Sequence, residues 1–531
     1  MSASRKSLWV NLSASWSVYA VRVLIGFFLM PYVIHVLGDA QYGFWIFINS
    51  IAGYAGLMYL GFGKTISRYV AKYQSSQNWT ELNRVVSLVF SVYSLMATVA
   101  LGVTGTLMLL APRLNNWDGH PIWEIRTVIG LLGVNVAIGL VGSVFGGVLI
   151  GARRFDCERM VFLLTDVGRL VLILTLLRRD YGLVTIAGIY IAMSVVENLA
   201  YLALAFRIVP QLSLHWKHLN RETFKTCFSF SSFAFLNAIA TQLIYATDTV
   251  VIGTLLGAAA IVPYFIAQRL CQIVKQPIEQ ISEICMPTAG ALQAEADHKS
   301  LQQLLMRSMG IAFLLTTGLF VGFAFFAQRL LDLWMGPGYT ESYHLLLLLF
   351  SCQIIALPVG VVRAFLFGTG NVRFPSLIYV AEAVANLVLS LMLCYPLKTF
   401  GVALGTAIPI IAFELFILLP YGLRILKISL RDVWAEAIRP QLIPLTVLTL
   451  AAALMAYETA GIHKVTWTLL IGIALGGGAS LAVGLFLQHW LAGTLPEWLT
   501  RRFKSEPESE DESEVAGEQA DSDAILSGEL M

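Results

Sequence analysis

The sequence predicts an all-α integral membrane protein of about fourteen transmembrane helices, two six-helix lobes related by a parallel internal repeat plus two extra C-terminal helices. Three observations carry that prediction: composition, a succession of long apolar segments, and a recurring offset between distant motifs. Of the 531 residues, 57% are hydrophobic and 13% are charged, against about 25% charged in soluble domains. Mean hydropathy is +0.74. A soluble chain this apolar could not cover its surface with polar groups. Cytosolic enzymes, secreted domains and disordered regulators are thereby excluded.

A helix needs roughly 20 mostly apolar residues to cross the hydrocarbon. Segments of that kind lie at 9–37, 41–62, 84–111, 124–150, 157–177, 182–208, 224–256, 260–281, 306–331, 343–368, 375–396, 401–422, 440–457 and 465–490. A membrane barrel would instead show ~10-residue alternating strands. The first segment follows Arg5 and Lys6, lacks a small-residue cleavage site and precedes many others, so it reads as a span rather than a signal peptide.

Orientation follows from Lys and Arg. With a cytoplasmic N-terminus, 24 of the 35 fall in cytoplasmic segments, seven on the other side and four within spans: Arg22, Arg169, Arg269 and Arg363. That bias places both termini in the cytoplasm. The net charge of +2 combines a membrane part of +12 with ten acids after Lys504. The excess belongs to basic loops, and no soluble basic surface exists to hold nucleic acid. The six cysteines show no CxxC, so neither zinc nor a disulfide framework is indicated.

The repeat rests on three matches at one offset. Residues 35–45 align with 254–264, 149–155 with 368–374, and 181–187 with 400–406, each separated by 219. The expected units are an N-lobe at 1–218, a C-lobe at 219–435, two added spans within 436–504, and a disordered acidic cytoplasmic tail at 505–531. Six spans per lobe give both lobes one topology. Transporters built this way place the substrate between the lobes near the midplane.

An ionisable side chain inside a span costs about 2.5–3.5 kcal/mol and so marks a candidate site. The competing explanation is a buried ion pair that joins two helices. Asn11, Ser15, Tyr19 and Arg22 share one helical face, as do Asn237, Thr241, Tyr245 and Asp248 on the repeat-related span. The shared stripe points to a common cavity; polar helix packing is the alternative. Arg269, followed on one side by Gln272, Gln276 and Glu279, makes with Arg22 a cationic patch suited to an anionic headgroup. Arginine binds two phosphate oxygens at once and stays charged when desolvated. Asp166 and Arg169, three apart, read as a mutual ion pair. Asp248 and Glu382 are the candidates for Na⁺ or proton coupling; the alternative for Glu382 is structural, an ion pair of Arg363 with Glu382 or Glu414.

No HExxH, GxSxG or Cys/His cluster is present, and GFGKT at 61–65 has Met58 where a P-loop needs its first glycine. No catalytic residues, metal or resident cofactor are expected, and the short outer loops leave no room for a glycan-processing domain.

The segment 30–73 contains LG-x-A-x-Y-G-x-W at 37–45, GY-x-x-L-x-x-LG at 53–61 and RYVAKY at 68–73; MPTAGALQAEADHKSL follows at 286–301. These elements resemble the polysaccharide exporters, or Wzx-like flippases, of the multidrug/oligosaccharidyl-lipid/polysaccharide superfamily. The resemblance covers about 1–430 and is strongest in the first 75 residues. It implies a V of two six-helix lobes, alternating access, and a polyprenyl-pyrophosphate-linked oligosaccharide as cargo in a bacterial inner membrane. It also implies membrane lipids and other polysaccharide-assembly proteins as partners. The related lipid II flippases carry cavity arginines on helices 1, 2 and 8; here Arg22 and Arg269 fall on helices 1 and 8, and helix 2 offers only Lys64 at its end. The alternatives are a cation-coupled multidrug exporter of the same fold, a lipid II flippase and, last, a membrane glycan ligase or polymerase.

Overall fold

The computed structural model describes residues 21–59, 62–114, 121–178, 182–214, 235, 239–244, 246–462 and 466–491. No strand occurs among the described residues. The first half contains α1 (Val21–Leu37), α2 (Asp39–Tyr54), α3 (Phe62–Ser75), α4 (Trp79–Leu114), α5 (Ile122–Gly151), α6 (Phe155–Leu176) and α7 (Gly182–Ile208). The second half contains α8 (Ile239–Leu255), α9 (Ile261–Ala294), α10 (His298–Trp334), α11 (Thr340–Ser351), α12 (Gln353–Gly368), α13 (Arg373–Phe413) and α14 (Leu419–Leu426). A short turn α15 (Leu430–Asp432) leads to α16 (Leu442–Glu458) and α17 (Trp467–Leu491).

Eight helical stretches of the described residues are long and apolar enough to cross a membrane, with Val21–Leu37 and Ile239–Leu255 as shorter apolar helices. This is a multi-pass all-helical membrane protein. One of the eight, Arg373–Leu426, holds two of the segments expected from the sequence. The backbone reverses inside α13 at Lys398, with φ 52° and ψ −132°. The limbs on either side pack so closely that an added Cβ at Gly405 would meet the backbone of Ser390. Only glycine permits that approach. The acidic tail expected at 505–531 lies outside the described residues.

The cores reveal how the halves are joined. One cluster draws on both: Met30, Trp45, Ile125 and Leu183 from the first half pack with Tyr264, Leu331, Phe350 and Val402 from the second. Away from that end the core divides. Ile66, Val89, Val148 and Tyr201 form a cluster of first-half residues. Cys285, Leu305, Phe365 and Leu423 form another from the second half. The shared end is stitched by Trp334, whose indole N–H donates to the Phe27 carbonyl at 2.6 Å and whose ring stacks on Phe27 with centroids 4.4 Å apart. The Tyr339 hydroxyl donates to Asp39 at 2.8 Å, and Tyr54 meets Thr247 at 2.5 Å. An added Cβ at Gly43 would lie within 2.7 Å of the Ala258 carbonyl carbon, so α2 presses directly on the 257–260 turn. The two clusters confined to single halves lie at the end carrying Arg68, Arg84, Arg153, Arg307 and Arg373.

Candidate functional site

The site begins with α1. Arg22 is 55% exposed, lies 3.2 Å from the Asp166 carboxylate and places its guanidinium 4.5 Å from the Phe162 ring centre. Asp166 on α6 also accepts from Arg169 at 2.7 Å. One carboxylate therefore bridges two arginines, where the sequence suggested a pair with Arg169 alone. Arg169 lies 4.6 Å over the Tyr190 ring of α7. From the other half, Arg269 on α9 crosses to α1; its Nη2 lies 2.6 Å from where a Cβ on Gly26 would be. Gly26 thus makes room for a guanidinium from across the interface.

These side chains line a cavity of about 240 Å³ together with Gln272 and Gln276. Its charged wall holds Arg22, Arg169 and Arg269 against Asp166, a formal excess of two positive charges. A neighbouring recess of about 380 Å³ shares Gly26, Tyr190 and Arg269 with it and is lined further by Tyr42, Trp45 and Asn49. Guanidiniums gathered in one cavity, two of them braced by Asp166, can replace the water that an entering phosphate loses.

The predicted pair Arg22 and Arg269 is therefore brought together, and Arg169 joins it. The signal for Arg169 lay in its position inside a span; its three-residue spacing from Asp166 had accounted for it as a structural pair. Asn11, Ser15, Tyr19, Asn237 and Tyr245 lie outside the described residues. Thr241 lines a second, larger cavity of about 560 Å³ in the second half and sits 3.4 Å from the Tyr379 hydroxyl. Glu382 lines that cavity too. Arg363 ion-pairs with Glu414, not Glu382, and lies 4.8 Å over Tyr379. Glu414 opens a π-helical turn, Glu414–Leu418, a local widening common at functional sites.

Asp248 is fully buried and absent from the described lining of both cavities. It accepts from Tyr264 at 2.6 Å, Thr406 at 2.7 Å and Ser390 at 3.4 Å. Asn386 donates to Thr406 at 2.8 Å, while its own Oδ1 has no hydrogen-bond partner among the described residues. The Asp248 carboxylate is thus met by three hydroxyl donors, with the Asn386 amide N–H on the neighbouring Thr406. Among the described residues no group of three His, Cys, Asp or Glu could hold a metal ion.

This helical membrane fold, with a charged cavity between its two halves, recurs among solved structures. A structure titled "Lipid II flippase MurJ, inward closed conformation" superposes with TM-score 0.69 at 14% identity, covering 90% of this chain and 98% of that one. An inward-facing multidrug resistance MATE family transporter of the MOP superfamily gives 0.58 at 16%, covering 76% and 98%. Among curated sequences, the chain is 18% identical over 410 residues to the "Uncharacterized membrane protein EpsK" of Bacillus subtilis strain 168, covering 76% of this chain and 80% of that protein. It is 20% identical over 423 residues to the "Putative O-antigen transporter" of Shigella flexneri, covering 77% and 96%. The family model described as "Polysaccharide biosynthesis protein" matches residues 8–293, more than half of the chain, and the chain belongs to that family.

Proposed function

We propose that the protein is a flippase, not an enzyme, that carries a polyprenyl-pyrophosphate-linked oligosaccharide across the bacterial cytoplasmic membrane by alternating access, for cell-surface polysaccharide assembly. The observation that carries this reading is the cavity in which Arg22, Arg169 and Arg269 converge from both halves of the chain. A sugar pyrophosphate cannot cross hydrocarbon unaided. A cationic cavity between two halves joined at one end supplies both a binding site and a route. The basic residues at the divided end support a cytoplasmic location for that end and for both termini. The cavity would then face the leaflet on which the lipid-linked unit is made. Residues 1–218 and 219–435 serve as the two moving lobes. Membrane lipids and other polysaccharide-assembly proteins are its expected partners. Asp248, with Ser390, Thr406 and Asn386 around it, serves as the coupling site for Na⁺ or a proton.

The test is transport of a fluorescent lipid-linked saccharide in proteoliposomes alongside membrane protein level. Arg22→Ala and Arg269→Ala are expected to abolish or strongly reduce transport at normal level. Lysine at either position restores it only in part, because it keeps charge and loses the planar fork. Full activity in both alanine variants, or loss of transport in step with loss of protein, overturns the assignment.

A further inference from the structure

The larger cavity opposes the arginine cavity in sign. Its described wall holds four carboxylates, Glu279, Glu283, Glu382 and Glu414, against two cations, Lys275 and Arg363. Lys275 lies 3.2 Å from Glu279, and Arg363 pairs with Glu414. Pairing each cation once still leaves two carboxylates in excess. Glu382 is 97% buried by its 3% residual exposure, and its Oε2 has no hydrogen-bond partner among the described residues. A buried carboxylate oxygen left unsatisfied is costly unless something donates to it.

The two cavities also adjoin along one helix. Gln272 and Gln276, four residues apart on α9, line both. That helix carries a graded stripe: Arg269, then Gln272 and Gln276, then Glu279 and Glu283. At 1.5 Å per residue the stripe runs roughly 21 Å along the helix. One ligand lying along it would meet cations at one end, amides in the middle and carboxylates at the other.

We infer that the acidic cavity is the saccharide subsite, and that it selects a lipid-linked sugar bearing a protonated amine over one bearing a carboxylate. This rests on the flippase reading, in which the arginine cavity takes the pyrophosphate. The amide pair suits sugar hydroxyls, and an ammonium gives Glu382 Oε2 a donor. A uronic acid there would add like charge to a wall that is already negative, beside the buried Glu382 and Glu414.

The experiment measures affinity of the full-length protein in lipid nanodiscs for four polyprenyl pyrophosphates: without sugar, with glucosamine, with N-acetylglucosamine and with glucuronic acid. The glucosamine form is expected to bind at least about tenfold tighter than the glucuronic acid form, as for one charge-assisted hydrogen bond. Glu382→Gln and the more exposed Glu279→Gln should each reduce that ratio severalfold. Because the ratio is read within each variant, a loss of folded protein or of headgroup affinity cancels. Ethidium serves as an organic-cation control and should compete poorly in wild type. Equal affinity for all sugar forms, or an unchanged ratio in both variants, overturns the inference while leaving the flippase reading intact. Tight ethidium binding that depends on Glu382 overturns it in favour of a drug-cation site. No binding by any polyprenyl pyrophosphate removes the flippase reading, and this inference with it.

Discussion

Trp334 offers a direct handle on the alternating-access cycle. It is the last residue of α10, 5% exposed, and its partner Phe27 belongs to α1 in the opposite half. Two interactions would be lost in Trp334→Ala: a parallel ring stack, with planes 6° apart, and the indole hydrogen bond to the Phe27 carbonyl. An aromatic pair contributes about 0.5–1.5 kcal/mol and a net hydrogen bond about the same. If both exist only while this end is closed, their removal shifts the equilibrium by about 1–3 kcal/mol, or roughly 5- to 150-fold. Trp334→Phe keeps a ring and loses the hydrogen bond, so about half of that shift should remain. Spin-label distances between α1 and α10 at this end, and between α3 and α12 at the divided end, would report the populations. The expected result is a longer distance at the first and a shorter one at the second, graded Ala beyond Phe beyond wild type. Unchanged distributions in both variants would refute the reasoning that this contact is made in one state and broken in the other.

Three further outcomes follow from particular contacts. Gly43→Leu cannot coexist with the close approach of α2 to Ala258, so it should disfavour the same closed end and lower transport without lowering protein level, checked by transport and immunoblot together. Arg363→Ala strands Glu414, which is 4% exposed; losing one partner of a buried pair costs about 3–5 kcal/mol, so the protein should become scarce in membranes, and adding Glu414→Gln should restore its level. Asp248→Asn retains shape and removes the charge that Tyr264, Thr406 and Ser390 surround; transport should persist with weakened dependence on the ion gradient, and an unchanged dependence on both Na⁺ and proton gradients would make Asp248 structural.

The sequence by itself determined the class of this protein. Spanning helices are legible because hydropathy sums over about 20 residues of one chain segment, with no need to know its neighbours. The same locality made Arg22 and Arg269 visible, since a cation inside an apolar run is costly wherever the helix packs. The stripe after Arg269 was legible from helical spacing alone. Tertiary structure decided the rest. It assigned Asp166 to Arg22 as well as Arg169, gave Arg363 to Glu414 and left Glu382 on the cavity wall. It buried Asp248 among α9 and α13 side chains, and it joined the halves through one core at one end only of the described structure. The reason is geometric. A period of 3.6 residues fixes which side chains share a face, but not how far each helix is rotated or shifted against the next. Ion-pair choice, burial of a carboxylate and the opening between two halves all depend on that interhelical register, which is set by packing.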